Sequence, residues 1–355
     1  MMKSKPKVLL YGTNCASVIN SLTIGFKKIN IPVKSVSFDF NRSIYNNYSE
    51  IECICRDNHP GTVKLYFYKL KGLLILIRYL LWCDVVHIYG TKQNLHYWLI
   101  AKLSKYKFVT FVGSDIRMPE IELGVNPYFK YAYYNDGYEY KNESDNCANK
   151  IVRYLSKLNY GFIVWDMGIF IDRKITDKVE IVPHASINKL QKDYIKNSSL
   201  HKKVLIIHSP TAPVAKGTEF VLKAIEKLKE KNISFEFRLL KNLPNEEYQQ
   251  VIIEADIYVD QLIWGAYGIA AQQALQMGKV VVAYMTPERL NIYGDDLPIQ
   301  NATINNLAEV LGKLIGDSEL REQISRQSVL YYEKMHKPEI VAAKMLATYK
   351  FLSKS

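Results

Sequence analysis

The fold is decided by residues 255–282, which read ADIYVDQLIWGAYGIAAQQALQMGKVVV. The short run Asp256–Val259 is rich in aliphatic and aromatic side chains, which predicts a buried strand. Small and aliphatic residues from Gly268 to Met277 predict a helix, and Lys279–Tyr284 predicts the next strand. A strand, a helix and a second strand within this one stretch indicate a β-α-β unit of a parallel sheet.

The same alternation extends over the whole chain. Further strands are predicted at Lys7–Tyr11, Val33–Phe38, Ile51–Cys55, Val85–Tyr89, Lys107–Phe111, Gly161–Trp165, Val179–Val182, Val204–His208 and Phe235–Leu240. Longer helical patterns separate most of them. Alternation of this kind predicts an α/β fold in which helices cover both faces of doubly wound parallel sheets.

Length and composition indicate two such domains. The chain has 355 residues, of which 48% are apolar, and a domain commonly has about 100–200 residues. A polar stretch rich in Lys, Asn and Ser runs from about 184 to 203, after which the alternation restarts. We therefore predict one Rossmann-like domain at 1–190 and a second at 200–336.

The cysteines and the longest apolar stretch predict a cytoplasmic location. Five cysteines, an odd number, all lie in the first half, and no secretory signal opens the chain, which favours a reducing compartment. The apolar stretch Leu73–Cys83 is interrupted by Arg78 and is much shorter than the about 20 residues of a membrane span. We do not expect it to cross a bilayer.

Positive charge is concentrated near the N-terminus. The formal net charge is +12, and residues 1–80 contain 12 Lys and Arg against 4 Asp and Glu. No nucleic-acid recognition motif accompanies this charge, so we expect no nucleic-acid partner. An anionic membrane surface is the other candidate partner, because residues 64–83 mix basic, aromatic and aliphatic side chains as interfacial helices do. A buried helix with a solvated basic end is an equally good interpretation of that segment.

Three turns carry candidate binding residues. Gly12, Thr13 and Asn14 follow the first strand, at the sheet edge where such folds bind ligands. Residues 208–218, HSPTAPVAKGT, offer backbone N–H groups and the Lys216 ammonium to an anion such as a diphosphate. Gly268 precedes a helix whose N-terminus also favours negative charge. The polar loop 135–147 is predicted to be a mobile surface loop or a substrate lid.

The order of these stretches resembles the glycosyltransferases of the GT-B fold, family 4 (group 1), of bacterial surface-polysaccharide synthesis. Lys216-Gly217-Thr218, then Ala255-Asp256-Ile257, Tyr267-Gly268 and Ala274-Leu275 follow the family order. In the first domain, Asp84-Val85-Val86-His87 and Thr110–Arg117 look like two further family stretches. The resemblance implies two Rossmann-like domains that face each other across a cleft. It also implies that the C-terminal helix, 337–355, joins the first domain rather than completing the second.

The resemblance implies a role for each candidate site residue. Donor-binding residues would be Lys216, Gly217, Tyr267, Gly268 and Gln273, with Lys216 on the phosphates and Gln273 near the ribose. Acceptor-binding residues would be Gly12, Thr13, Asn14, Gly113, Ser114 and Arg117. Lys216 and Asp115 are the catalytic candidates. Asp115 is either a base or acceptor-hydroxyl ligand, or a plain cap of the following helix. Arg117 either contacts an acidic or phosphate-bearing acceptor or supports its loop.

Several family residues are absent. The family's two glutamates fall at Gly265 and Gln273, its phosphate-binding arginine has no counterpart in 208–215, and its acceptor-side histidine is Val112. Gln273 can still donate to and accept from a ribose hydroxyl. Without the arginine, Lys216 and helix dipoles would be left to stabilise the leaving group.

The leading hypothesis is a glycosyltransferase that moves a sugar, with retention, from a nucleotide-sugar donor to a surface-polysaccharide or lipid-linked oligosaccharide acceptor. Family members need no metal, no Asp-x-Asp motif is present, and we expect no cofactor. The enzyme is expected in the cytoplasm, at the inner face of the cell membrane. The main alternative is a weak or inactive homologue that binds nucleotide or glycan as a partner subunit. A sugar-nucleotide epimerase of the same fold is a third hypothesis.

Overall fold

The computed structural model describes residues 2–37, 46–54, 61–91, 96–188 and 203–354. Contacts divide the chain into two units. The first comprises residues 1–118, 143–186 and 337–355, and the second comprises residues 119–142 and 187–336. The chain therefore passes between the units four times, after Met118, Asn142, Ser186 and His336.

Among its described residues, the first unit is built on seven parallel strands. In chain order its elements are β1 (Val8–Gly12), α1 (Val18–Lys28), β2 (Val33–Ser37), β3 (Glu52–Cys53), α2 (Thr62–Trp82), β4 (Val85–Tyr89), α3 (Tyr97–Leu103), β5 (Tyr106–Thr110), α6 (Asp145–Lys157), β6 (Gly161–Val164), β7 (Val179–Ile181) and α14 (Pro338–Leu352). The spatial order is β3-β2-β1-β4-β5-β6-β7. Strands β1 and β4 are buried along their whole length, as expected of parallel strands that are mostly apolar in sequence.

The last helix, α14, belongs to this first unit and packs along α1. Its Tyr349 is fully buried, and the Tyr349 ring stacks on Phe108 with centroids 4.6 Å apart. Near the start of α14, Glu339 pairs with Lys28 of α1 at 3.2 Å. Of the two packing partners considered for this helix, the structure shows the first domain.

Tyr349 also completes a buried hydrogen-bond chain through His87 on β4. Burial lowers the pKa of His87 to about 3, so its ring is neutral at pH 7 and has one donor and one acceptor. Thr110 donates its proton to the carbonyl of Ile163 at 2.9 Å, so its oxygen accepts from His87 Nε2 at 2.8 Å. His87 Nδ1 therefore accepts from the Tyr349 hydroxyl at 2.7 Å.

Outside the undescribed stretch 189–202, the second unit is built on five parallel strands. Its elements are α4 (Pro119–Val125), α5 (Phe129–Tyr133), β8 (Leu205–His208), α7 (Pro213–Lys216), α8 (Thr218–Glu230), β9 (Glu236–Leu239), α9 (Asn245–Glu254), β10 (Ile257–Val259), α10 (Ile269–Gln276), β11 (Val280–Ala283), α11 (Pro287–Tyr293), β12 (Gln300–Asn301), α12 (Leu307–Gly316) and α13 (Ser318–Met335). The spatial order is β12-β11-β10-β8-β9. Both units are thus Rossmann-like, as the sequence predicts.

One segment differs from the predicted domain division. Residues 119–142 fall within the predicted first domain, 1–190, but pack in the second unit. The reason is a set of buried contacts that no local pattern signals: Phe129 and Tyr138 join a core cluster with Ala212, Ala215 and Ile263. The predicted boundaries at 190 and 200, and most of the polar stretch between the domains, lie outside the described residues.

The predicted mobile loop at 135–147 is likewise not a simple surface loop. Tyr138 is buried against Phe129, with ring centroids 6.0 Å apart. Helix α6 already begins at Asp145, where the Ser144 side chain caps it by accepting from the Cys147 N–H. The segment therefore contributes to both units rather than lying free.

Within the described ranges, no helix is both long enough and apolar enough to cross a membrane.

Candidate functional site

In the first unit, the strand order reverses between β1 and β4, which is where doubly wound sheets bind ligands. Gly12 ends β1 with a φ of +133°, and a Cβ at this position would lie 2.2 Å from the Tyr89 carbonyl oxygen. The next residue, Thr13, donates its N–H to the same oxygen at 2.9 Å. Only glycine fits here, because backbone occupies the space of a side chain.

Asn14, the third residue of this turn, is buried and holds the local backbone. Its side-chain oxygen accepts from the N–H of Asn20 at 3.2 Å, and its amide donates to the carbonyl of Asn47 at 2.8 Å. These contacts fix the turn at the sheet edge. Its role in acceptor binding stays a prediction.

Asp115 joins the ends of β4 and β5. Its Oδ1 accepts from the N–H of Val112 at 2.9 Å, and its Oδ2 accepts from the N–H of Thr91 at 3.0 Å. The next α-helix begins only at Pro119, so Asp115 does not cap it; the expected cap is wrong because the chain turns before it becomes helical. Gly113, with a φ of +124°, and the half-buried Ser114 form this same turn.

We expect Asp115→Asn to lower the free energy of unfolding of the first unit by about 1–3 kcal/mol, because an amide NH₂ cannot accept one of the two N–H bonds. Chemical denaturation followed by circular dichroism measures this loss. If the variant is as stable as the original protein but loses turnover, the carboxylate is catalytic and the positioning role is wrong.

Arg117 forms a buried ion pair with Glu143, with Arg117 Nη1 2.6 Å from Glu143 Oε1. Both side chains are almost fully excluded from solvent. These two residues flank the 119–142 segment, so the pair joins its two ends within the first unit. Of the two roles considered for Arg117, this contact supports the loop-supporting one.

In the second unit, the strand order reverses between β8 and β10. Asp260, directly after β10, is fully buried. Its Oδ1 lies 3.3 Å from Lys216 Nζ, and its Oδ2 accepts from the N–H of Gly268 at 2.6 Å. Two of the predicted donor-binding residues thus meet at one carboxylate, at the point where such sheets bind nucleotides.

His208, the last residue of β8, connects the elements that hold this group. Burial lowers the pKa of His208 to about 4, so the ring is neutral at pH 7. Its Nδ1 lies 2.9 Å from the Val259 carbonyl and therefore donates, which leaves Nε2 to accept from Thr218 Oγ1 at 3.0 Å. The ring ties β8 to β10 and to the start of α8.

The turn predicted to bind an anion already holds a carboxylate. Glu139, from the 119–142 segment, accepts from the N–H of Val214 at 2.9 Å and from the N–H of Ala215 at 3.0 Å. The two kinds of anion-binding group predicted in this turn, backbone N–H and ammonium, are thus both in contact with protein carboxylates. The ammonium of Lys216 still has further N–H donors for a phosphate, since it carries three.

The other predicted donor-binding residues have internal contacts. Gly217 has a φ of +76° and separates α7 from α8. Tyr267 is buried, and its hydroxyl lies 2.8 Å from His336 Nε2. Gln273 is buried, with its amide nitrogen 3.4 Å from the Ile187 carbonyl. The structure therefore brings Lys216 and Gly268 together at Asp260, while the donor-binding roles of Tyr267 and Gln273 stay predictions.

Gly265 is the position at which the resemblance places a glutamate, and the structure leaves no room there for a side chain. Gly265 has a φ of +63°, and a Cβ there would lie 2.3 Å from Thr286 Cγ2 and 3.2 Å from Arg289 Nη1. No side chain fits. A buried carboxylate is supplied nearby by Glu122, whose two oxygens pair with Arg289 Nη1 and Nη2 at 3.0 and 2.7 Å.

Sequence reasoning did not single out Asp260, Glu139, Glu122 or Arg289. Asp260 had a usable signal, because it directly follows a buried strand in the stretch that decides the fold. The Glu122–Arg289 pair had none, because 167 positions separate its members. Within the part of the chain that the structure describes, no three His, Cys, Asp or Glu side chains gather as a metal site would require.

No protein-family profile matches the chain, and no curated protein sequence does either. Solved structures match it over nearly its whole length. Sucrose-phosphate synthase from Thermosynechococcus elongatus matches with a TM-score of 0.64 and 11% identity, covering 98% of this chain and 99% of its own.

Two further structures match at a TM-score of 0.59. One is a glycosyltransferase from Rickettsia africae, 14% identical, with 99% of this chain and 100% of the other covered. The second is HepE from Anabaena in complex with UDP-glucose, 10% identical, with 97% and 99% covered. The chain therefore has the two-domain, Rossmann-like GT-B fold of these glycosyltransferases.

Proposed function

We propose that the protein is a glycosyltransferase that uses a nucleotide-sugar donor. The observation that carries this proposal is the group formed by Lys216, Asp260 and Gly268 at the strand-order reversal of the second unit. It lies where this class of sheet binds nucleotides, in a fold shared with a protein solved with UDP-glucose. The acceptor would bind the first unit, near Gly12–Asn14 and Gly113–Asp115.

The chemistry proposed for this site is stabilisation of the leaving group. Negative charge develops on the nucleotide diphosphate as the sugar departs, and donors held in fixed positions stabilise it. Lys216 supplies an ammonium, and Asp260 fixes its direction. We further propose retention of the anomeric configuration and a reaction that needs no metal, both on the family resemblance described above.

The proposed acceptor is a surface-polysaccharide or lipid-linked oligosaccharide, as in capsule or O-antigen synthesis. This part rests on the resemblance and on the basic first 80 residues. On the same grounds, we propose that the enzyme is cytoplasmic and in peripheral contact with the inner face of the cell membrane.

Calorimetric titration with UDP-, GDP- and CMP-sugars tests donor binding. We expect one nucleotide class to bind and the others to bind at least tenfold more weakly. In the presence of a lipid-linked acceptor fraction, the protein should then release the nucleotide of that donor: UDP or GDP from a UDP- or GDP-sugar, and CMP from a CMP-sugar. Failure of every sugar nucleotide to bind would refute the proposal, and conversion of the donor to an epimer without transfer would identify an epimerase.

A second candidate function is nucleotide or glycan binding without turnover. The contacts of Lys216 with Asp260, and of Glu139 with the Val214 and Ala215 N–H groups, favour it because protein carboxylates already neutralise these anion-binding groups. Binding of a sugar nucleotide with no release of its nucleotide, UDP, GDP or CMP, under any acceptor condition would establish this alternative.

Lys216→Ala is expected to weaken donor binding by about 1.5–3 kcal/mol, the range for a hydrogen bond to a charged group. Asp260→Asn is the variant to compare with it. Asparagine can still accept from the Gly268 N–H, but it no longer neutralises the Lys216 ammonium. Its donor affinity should equal or exceed that of the original protein.

The double variant Lys216→Ala/Asp260→Asn separates binding from stability. It removes both charges, so a loss of stability caused by an unpaired Asp260 should be relieved, whereas donor affinity should stay low. If calorimetry shows full donor affinity in the folded double variant, Lys216 does not contact the donor.

A further inference from the structure

The helix α2 exposes an unusual amount of apolar surface. Six large apolar side chains of this one helix are exposed: Val63, Tyr66, Phe67, Leu70, Leu74 and Leu81. Phe67 is 69% exposed and Tyr66 is 72% exposed. At about 100° per residue, all six fall within an arc of about 100° around the helix. We call this set the apolar stripe of α2.

The opposite side of the helix attaches it to the first unit. Gly72, Leu76 and Leu80 are buried, and Leu76 and Leu80 belong to the core of this unit. No residue from 62 to 71 is buried. The helix therefore has two separate faces. One face is buried in the first unit, and the other, the apolar stripe, is exposed.

Basic residues border the stripe. Lys64, Lys71 and Arg78 are spaced seven residues apart, which places them in one row along a single edge of the stripe. Lys69 adds a fourth positive charge, and residues 62–82 contain no Asp or Glu. An apolar face with a basic border is the pattern of helices that lie in the membrane interface. In such helices, the charged ends of Lys and Arg reach the lipid headgroups, while the aliphatic parts of these side chains lie against apolar surface.

The neighbouring helix α3, which packs against α2, shows the same chemistry. Trp98 is 58% exposed, and Lys102 Nζ lies 5.8 Å from its ring centroid. Exposed tryptophan is enriched at membrane interfaces, because one end of the ring system is apolar and the other forms hydrogen bonds.

We infer that the apolar stripe of α2 docks the protein on the surface of an anionic lipid bilayer, with the helix axis parallel to the membrane plane. A second copy of the chain is the less suitable occupant. Two paired α2 helices would bring the four positive charges of one copy close to the four of the other, and neither helix has a carboxylate to neutralise them. The inference specifies the membrane contact proposed above. It rests on the proposed function only for the reason why the protein would bind a membrane, which is to reach a lipid-linked acceptor.

Vesicle sedimentation tests this inference without requiring activity. We expect binding to vesicles of phosphatidylcholine with phosphatidylglycerol to be at least tenfold tighter than binding to phosphatidylcholine alone, and to weaken between 0.1 M and 0.5 M salt. Phe67→Glu/Leu70→Glu should weaken binding to the anionic vesicles about 10- to 100-fold. Lys64→Gln/Lys71→Gln should remove most of the salt dependence and leave weak residual binding.

The matched control is Leu330→Glu on α13 of the second unit, where the side chain is 70% exposed, and its vesicle binding should not change. All four positions in the α2 variants are exposed, so their circular dichroism should match that of the original protein. Unchanged vesicle binding of Phe67→Glu/Leu70→Glu overturns the inference. So does a protein dimer, detected by sedimentation velocity, that this variant dissociates. Calorimetry of the sugar nucleotides with the same variants tests the proposed function separately.

Discussion

Tyr349→Ala is expected to destabilise the first unit by about 3–5 kcal/mol, although residue 349 lies 262 positions from His87 in the sequence. Removing a fully buried aromatic side chain leaves a cavity and forfeits its contacts. The ring lost here stacks on Phe108, and the hydroxyl lost is the donor to the neutral His87. Hydrogen exchange of peptides from β4 and β5, followed by mass spectrometry in low denaturant, measures the effect in this unit alone.

Two substitutions calibrate that result. Tyr349→Phe keeps the packing and removes only the hydroxyl, so about 1–3 kcal/mol should be lost through the unsatisfied His87 nitrogen. Phe351→Ala, on the exposed side of the same helix, should change stability by at most about 0.5 kcal/mol. If Tyr349→Ala instead accelerates exchange only in the second unit, the assignment of α14 to the first unit is wrong.

Glu122→Gln is expected to cost about 3–5 kcal/mol in the second unit, because it breaks a buried ion pair from one side only. The Arg289 guanidinium would stay buried with its bidentate carboxylate partner gone. The 119–142 segment would also lose the carboxylate that accepts from Asn126. Thermal unfolding followed by the fluorescence of Trp264, which is the only tryptophan between 187 and 336, provides the measurement once the other tryptophans are replaced by phenylalanine.

The chain offers a matched control for this prediction. Glu322 and Arg326 form the same kind of pair on the exposed surface of α13, where such pairs contribute about 0.3–0.5 kcal/mol. Glu322→Gln should therefore leave the unfolding temperature almost unchanged. The double variant Glu122→Met/Arg289→Met should recover much of the loss, because an apolar pair of similar volume can replace a buried ion pair. Equal unfolding temperatures for Glu122→Gln and Glu322→Gln would contradict the prediction.

The strands of both sheets could be predicted from sequence because buried parallel strands carry a strong local signal. Val85–Tyr89 was predicted with the bounds that the structure shows, and most other strands differ by one or two residues at an end. The short strand β12, Gln300–Asn301, was missed. It is polar and lies at the edge of its sheet, so it lacks the apolar run that marks a buried strand.

The candidate site was only partly predictable, because its decisive contacts join distant parts of the chain. Lys216 and Gly268 stand at recognisable strand-to-helix turns, and the structure does bring them together. Their shared partner is Asp260, and the turn before Lys216 is occupied by Glu139 from 75 positions away. Local patterns show which groups are available to bind an anion, but only the folded chain shows which of them already bind a carboxylate.

The placement of α14 and of the 119–142 segment also determines when each unit can fold during synthesis. Domains generally fold in the order in which they leave the ribosome, the N-terminal one first. Here the first unit lacks α14 until residues 338–352 have been made, after every strand of the second unit, so β4 and β5 must wait for Tyr349. The 119–142 segment, in turn, is made long before its partner Arg289 exists. A chain that ended after His336 would contain every described strand of the first sheet. This truncation would nevertheless destabilise the first unit, most of which lies in the N-terminal half of the sequence.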